Sequence, residues 1–365
     1  MSTPERRPLA TSTVSESRDF AGELAERVRA ASASRSPLRI VGGDTKAFYG
    51  RIVGGEPLDV AGHAGVVDYE PSELVITARA GTRIQEIEAL LARQGQRLAF
   101  EPPVLGPAST LGGVVAAGLA GPRRPFAGAV RDSVLGVTVL NGKGEALRLG
   151  GTVFKNVAGF DGFRLMAGAL GCLGVLLDVS LRVAPIPAAE ISRGLELPWP
   201  AAQARLTALM RRPLPFSGAA HDGERLHVRL SGPSDAVAAA AAELGGQETP
   251  AAFWKDLRHR RIGPLTAPRL WRLSVPRTAE LADLPGAALR DWAGAEIWLE
   301  SDASAEHLRR LTSDVGGHAT LYRGAAPGED VFSPLPPGLL ALHRRLKAAF
   351  DPAGVFNPGR MYEGL

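Results

Sequence analysis

From Val175 to Val183 apolar residues fall at every second position: Val175, Leu177, Val179, Leu181 and Val183. That alternation predicts a strand with one buried face. Shorter apolar runs at Leu38–Val41 and Leu74–Thr77 predict two more strands, each followed closely by glycine. Ile84, Ile87, Leu90 and Leu91 recur at helical spacing. They predict a helix that opens with Thr82-x-x-Gln85 as a capping box and stops at Gly95. A further helix is expected over about 19–33. Val134–Leu140, an Asn141-Gly142 turn and Ala146–Leu149 read as a hairpin, with a helix-like stretch near 160–169 after it.

Between 101 and 131 the periodicity gives way to Pro102, Pro103, Pro107, Gly112, Gly113, Gly118, Gly121 and Gly128. A long glycine-rich stretch between well-patterned elements points to function. After Pro185 and Pro187 the composition shifts, and all five tryptophans lie beyond that point. A domain boundary is placed there. Strands are expected near 193–198, 225–231, 269–275, 295–300 and 318–323, with helices near 234–244, 252–262 and 304–314. This order suggests an antiparallel sheet with helices on one face. A last helix, about 337–350, leads into Asp351-Pro352-Ala353-Gly354-Val355-Phe356-Asn357-Pro358-Gly359-Arg360. The fold class is α+β.

Composition narrows the function. The chain has 365 residues, 45% apolar, and a formal charge of only +4. That is enough for two ordinary cores and too little basic excess for a nucleic-acid stripe. The run Arg258-His259-Arg260-Arg261 reads as a solvated helix face or a partner contact. The single cysteine, Cys172, excludes an internal disulfide or a cysteine-ligated cluster, and its apolar neighbours predict a buried, inert thiol. Residues 1–18 carry no apolar core of a signal peptide and read as a disordered start. No apolar stretch is long enough to span a bilayer, so a cytoplasmic protein is expected.

Several chemistries are excluded by missing motifs. There is no G-x-G-x-x-G, no phosphate-binding G-x-x-x-x-G-K-[ST], no H-E-x-x-H and no G-x-S-x-G. Two glycine segments remain: Gly42-Gly43-Asp44-Thr45-Lys46, directly after a strand, and Ser109-Thr110-Leu111-Gly112-Gly113. Successive backbone N–H groups in such loops converge on anions, and glycine removes the Cβ that would keep a phosphate out. Lys46 adds a positive charge. Two such loops in one domain suit a long diphosphate cofactor; each alone also reads as an ordinary turn.

On these segments the chain resembles the FAD-binding domain of the vanillyl-alcohol oxidase / p-cresol methylhydroxylase (PCMH) superfamily. The matching stretches also include Val75–Gly81, Gly118–Gly121, Val130–Val137, Thr152–Asp161, the Gly171-x-x-Gly174-Val175 entry and the Asn357-Pro358-Gly359-Arg360 ending. The short length resembles FAD-binding subunits of bacterial glycolate oxidases. The resemblance implies a PCMH-type two-subdomain FAD domain over 19–187, a smaller cap domain over 188–345, and a C-terminal segment, 346–365, that returns to the flavin. It implies FAD bound by Gly42, Gly43, Asp44, Thr45 and Lys46 at the pyrophosphate, and by Ser109, Thr110, Leu111, Gly112 and Gly113 along pyrophosphate and ribityl. Gly81, Pro107, Gly118, Gly121 and Asp132 fall on its matched segments. Gly174 and Val175 would present backbone groups to the flavin, and Asn357 would reach the isoalloxazine from the C-terminus. Many relatives carry a flavin-linking histidine in the first loop. Here it reads Gly-Gly-Asp-Thr-Lys, so FAD is expected to be non-covalent. The implied partners are a second FAD-containing subunit and an iron–sulfur subunit, and the implied substrate is a small 2-hydroxy acid.

No catalytic base emerges. His227, Arg229 and Arg272 could face a flavin from a sheet, or be exposed strand residues. Lys155 and Asn156 are placed by motif, for packing or for catalysis. Three functions stay open: a redox subunit that needs partners, a stand-alone flavin 2-hydroxy-acid dehydrogenase, and a flavin-holding structural subunit.

Overall fold

The computed structural model describes residues 17–151, 161–281 and 283–365. The Thr152–Phe160 run, with Lys155 and Asn156, and nearly all of the expected disordered start lie outside the described residues.

The first half builds three sheets, two of them strand pairs and one of five strands. Helix α1 (Ala21–Ser34) buries Leu24, Ala25, Val28 and Ala31 and ends on left-handed Arg35. Strand β1 (Leu38–Val41) pairs in parallel with β2 (Glu56–Asp59). β3 (Val66–Glu70) and β4 (Val75–Arg79) begin the larger sheet. Helix α2 (Ile84–Arg93) lies on it through Ile84, Ile87, Leu90 and Leu91, as the spacing predicts. The expected capping box does not form: the Thr82 hydroxyl bonds both the N–H and the C=O of Gly65, at 2.9 and 3.1 Å. After β5 (Gln96–Arg97) the glycine-rich stretch contains a helix, α3 (Leu111–Ala117), N-capped by Thr110 and closed by Gly118 at φ +65°. Two single-turn helices follow, α4 (Arg124–Ala127) and α5 (Val130–Ser133). The hairpin β6 (Val134–Leu140) and β7 (Ala146–Gly150) leads to β8 (Val175–Arg182) and the short β9 (Ala184–Pro185). The order is β3-β4-β8-β6-β7.

β8 is the expected alternating strand, but it does not have one buried face. The β6–β8 register shifts where Thr138–Val139 meets Asp178 and Leu176, which skips Leu177. Such a bulge switches which face side chains take. Val175 and Leu177 therefore join the core under α1, while Leu176, Val179 and Leu181 join the core under α2 and α3.

The second half is one eight-stranded antiparallel sheet. Its elements are β10 (Ala189–Glu196), α6 (Trp199–Leu209), β11 (Phe216–His221), β12 (Arg225–Gly232), α7 (Ser234–Leu244) and β13 (Gln247–Glu248). There follow α8 (Ala251–Arg258), β14 (Leu270–Ser274), β15 (Ala287–Asp291), β16 (Glu296–Glu300), α9 (Ala305–Ser313) and β17 (His318–Arg323). The strand order is β13-β10-β12-β11-β15-β16-β14-β17. α6 and α7 pack with Leu226, Val228 and Leu230, and α9 with Trp271, Leu273, Ile297 and Leu299. α8 departs from the expected one-sided layer. It packs with Trp298 and Tyr322 beside Tyr49, Ala117 and Leu119 of the first half.

That packing makes the seam between the halves. Arg258, His259 and Arg260 lie in the seam, while Arg261 is exposed and pairs with Asp256. Arg258 donates to Pro102 O (2.9 Å), Nδ1 of His259 accepts from Val104 N (3.1 Å), and Arg260 donates to Ala120 O (3.2 Å). Glu101, at φ +47°, accepts from Arg123 and Arg229.

The last helix, α10 (Pro337–Phe350), buries only Lys347. Its ammonium donates to Cys172 O, Asp351 Oδ2 and Phe356 O, at 2.8, 2.7 and 2.7 Å. A buried charge persists when it is paired and hydrogen-bonded, and this one latches the C-terminus to the 168–174 turn.

Candidate functional site

β1 ends at Val41, and the chain turns through Gly42-Gly43-Asp44-Thr45-Lys46 with Asp44 left-handed at φ 51°. Among the described residues, the backbone N–H groups of these five residues have no acceptor. Consecutive free N–H groups around a left-handed residue form an anion-binding concavity. The Lys46 side chain enters the same hollow without a carboxylate partner among the described residues. Burial pulls its ammonium down to about 8.

The second glycine segment plays a different part. Leu111 N donates to Thr82 O (2.9 Å), Gly112 N to Ala80 O (2.7 Å) and Gly113 N to Thr110 Oγ1 (3.2 Å). These three donors are spent inside the protein, and the segment walls the groove through Thr110, Gly112 and Gly113. Its glycines serve close packing. A Cβ on Gly112 would lie 2.8 Å from the Ala80 Cβ, and one on Gly42 would lie 2.6 Å from Thr110 Oγ1. At Gly43 it would lie 1.5 Å from Ala108 O. These positions hold the two loops together, where the sequence suggests room for a phosphate. The Ser109 and Thr45 hydroxyls join the loops at 2.9 Å.

The hollow continues as a groove: two adjoining stretches of about 550 and 520 Å³ share Ile40, Gly42, Gly113, Ala116, Leu170 and Asn357. The inner stretch is mainly apolar, lined by Val60, Ala80, Met166, Ala169, Gly171, Gly174 and Leu176. Asn357 lies on its floor with its amide already engaged: Oδ1 accepts from Ile40 N (2.9 Å) and Nδ2 donates to Leu170 O (2.7 Å). It braces the groove.

Of the other expected residues, Gly174 lines the groove, while Gly81, Pro107, Gly118, Gly121, Asp132 and Val175 do not. A Cβ on Gly81 would meet the carbonyls of Val60, Ala61 and His63 within 2.6 Å, so it supports the wall behind Val60 and Ala80. Gly121 O accepts from Trp292 Nε1 at the seam. Asp132 bonds Ala129 N at 2.8 Å. Cys172 is buried, and desolvation pushes its thiol up to about 11, as expected of an inert thiol.

Arg360 is the groove residue that sequence reading passes over. It lines the outer stretch, and its Nη2 donates to Lys46 O, Ala47 O and Tyr49 O at 3.3, 3.0 and 2.8 Å. The only signal for it is its place in the Asn357–Arg360 ending.

The three cap candidates are buried or ion-paired, which corrects the picture of exposed strand residues. His227 is held between Asp222 (2.8 Å) and Thr249 (3.0 Å) and stacks on Phe253. Arg229 pairs with Glu101 at 2.9 Å, and Arg272 with Glu296 at 2.6 Å. None lines the groove. A larger hollow, about 1120 Å³, lies on the cap beside α6, but Gln203 there already donates to Arg277 O and Ala279 O. The groove is the better site because the Gly42–Lys46 N–H groups and the Lys46 ammonium there have no partner among the described residues.

An anion cradle at a strand end, an apolar groove behind it, a separate antiparallel cap sheet and a C-terminus that returns to the floor define a FAD-linked oxidoreductase. Residues 20–150 match the model of the FAD binding domain, and 334–361 that of the C-terminal domain of FAD linked oxidases. The chain is 46% identical over 348 residues to glycolate oxidase subunit GlcE of Escherichia coli K12, covering 95% of this chain and 99% of that one. It is 28% identical over 172 residues to a D-lactate dehydrogenase of Anaerostipes hadrus, covering 47% of this chain and 36% of that one. A solved structure of alkyldihydroxyacetonephosphate synthase shares the fold at TM-score 0.64 and 16% identity, over 92% of this chain and 75% of that one. The chain belongs to the PCMH-type FAD-binding oxidase family. Its cofactor is FAD, and the free N–H groups beside Lys46 fit a dinucleotide diphosphate. No helix among the described residues is long and apolar enough to cross a membrane.

Proposed function

We propose that this chain is the FAD-binding subunit of a complex that oxidises glycolate, or a close 2-hydroxy acid, and passes electrons to partner subunits. The observation that carries this is a groove fitted for a diphosphate cofactor in a chain 46% identical to a glycolate oxidase subunit. FAD, when bound, supplies the two-electron acceptor for the carbinol carbon. Gly42–Lys46 hold the diphosphate by backbone N–H groups and one ammonium. Thr110, Gly112 and Gly113 wall the cofactor, and Gly174 and Asn357 floor the apolar stretch. Attachment is non-covalent, since no histidine lines the groove and Cys172 is buried. The partners are a companion flavoprotein subunit and an iron–sulfur subunit.

Partner dependence is supported by the side chains a hydroxy-acid dehydrogenase would need. A base for the hydroxyl and a cation for the carboxylate have their cap candidates, His227, Arg229 and Arg272, tied to Asp222, Glu101 and Glu296. The test is a steady-state assay of the isolated, FAD-loaded chain with glycolate, D-lactate and a dye acceptor. Negligible turnover that appears on adding partner subunits supports the subunit reading. Turnover above ~1 s⁻¹, the low end of ordinary enzymes, replaces it with a stand-alone dehydrogenase.

A further inference from the structure

We propose that Arg360 is a cofactor-positioning residue: it holds the turn after the glycine loop in its anion-binding shape and, with Lys46, faces the diphosphate with a second positive charge. The inference rests on the reading of the groove as the FAD site. Its first support is the three-carbonyl contact to Lys46, Ala47 and Tyr49. That contact sets the path of the chain where Lys46 leaves the cradle. The second is charge. Arg360 lines the same hollow as the free N–H groups of Gly42–Lys46 and forms no ion pair among the described residues. Its Nε is buried without a partner. The Asp44 carboxylate lines the same hollow and favours the charged guanidinium, but it is itself paired with Arg39.

The third support is that the chain makes room for it. Gly50 has φ +95°, and a Cβ there would lie 3.0 Å from Arg360 Nε and 3.1 Å from its carbonyl oxygen. Arg51 N then donates to Arg360 O at 2.9 Å. The 46–51 turn and the end of the chain are thus bonded in both directions. Cofactor binding and docking of the C-terminus are therefore linked: ligand that holds the guanidinium also holds the segment that carries it.

The experiment titrates FAD into the full-length apoprotein by flavin fluorescence over a salt series, for wild type, Arg360→Gln and Arg360→Lys. The Debye length falls from about 10 Å at 0.1 M to about 3 Å at 1 M, so a charge facing the diphosphate appears in the salt dependence. Arg360→Gln is expected to raise the FAD Kd at least tenfold and to flatten that dependence. Inorganic pyrophosphate should compete with FAD less well in this variant than in wild type. Arg360→Lys, which keeps the charge and loses the carbonyl contacts, should keep the wild-type salt dependence with only part of the affinity. Unchanged affinity in Arg360→Gln, or weakened affinity with wild-type salt dependence, overturns the proposal. Should Arg360→Gln not fold, Arg360→Lys decides alone: a flattened salt dependence there overturns it. A wild-type chain that binds no FAD would instead sink the assignment of the groove, which is a different failure.

Discussion

Asn357 and Ile40 are 317 positions apart, yet the Asn357 Oδ1 accepts the Ile40 backbone N–H at 2.9 Å. The contact extends a strand-like pairing. Leu38 N donates to Val355 O (2.8 Å) and Asn357 N to Leu38 O (2.9 Å), so the end of the chain lies in parallel beside β1. The amide then crosses to Leu170 O. One side chain thereby ties the cradle strand to the floor of the groove.

Asn357→Ala removes both bonds at once. A buried backbone group left without a partner costs about 1–3 kcal/mol. FAD affinity should fall, and the segment after Phe350 should become more sensitive to protease in the apoprotein. Equal FAD affinity and equal proteolysis in variant and wild type would show that Asn357 braces nothing.

Gly43→Ala should be nearly as damaging as Gly43→Val. The conflict is with the Ala108 carbonyl, 1.5 Å from the first added carbon, and not with cofactor. We expect at least about 3 kcal/mol of lost stability, the upper end of ordinary overpacking, with FAD content lost alongside. Thermal unfolding of the apoprotein reads this directly. A variant as stable as wild type that merely lost flavin would return the glycine to the role of making phosphate space.

Lys46 gives the cofactor a pH dependence. Burial holds its ammonium down at about 8 in the apoprotein, and a diphosphate beside it raises that value. The ammonium is the form that binds. FAD affinity should therefore be level below about pH 8 and weaken as pH rises above it, with proton uptake on binding in that range. Lys46→Met should weaken binding about tenfold, which is about 1.4 kcal/mol, and abolish the alkaline loss. Isothermal titration in two buffers of different ionisation enthalpy measures the proton. Absence of uptake above pH 8 would remove Lys46 from the site.

The seam has the opposite sense. His259 accepts the Val104 N–H, and desolvation with the neighbouring Arg258, Arg261 and Lys255 charges pulls its imidazole down to about 4. A histidine held neutral in the fold and ordinary at about 6.5 when unfolded contributes stability above 6.5. That contribution is lost as pH falls from 6.5 to 4. Melting temperature should drop across this window in wild type and drop less in His259→Gln. Identical acid profiles for the two proteins would contradict it.

Much of the local architecture was legible in the chain. Period-two and helical spacing placed β1, β4, α2, the β6–β7 hairpin and β8, because a face that must be buried writes its period into the residues that form it. The loop Gly42–Lys46 was legible for the same reason: a glycine pair directly after a strand is a local signal. In the cap, Phe216–His221 and Ala287–Asp291 carry no such alternation, and neither was foreseen as a strand. Their edges are set by neighbours, β12 for the first and β16 for the second.

What the sequence by itself determined is the family and the α+β class, both carried by residues close together in the chain. Tertiary structure alone decided which glycines pack against protein. Gly43 and Gly112 look alike as letters, and only the approach of Ala108 and Ala80 shows that both face protein. It also decided that Arg258–Arg260 and His227 belong to a seam and a core, and that Arg360 belongs to the groove. The reason is physical. A charged side chain is defined by what lies within a few ångströms of it, and the carbonyls that hold Arg360 come from residues more than 300 positions earlier.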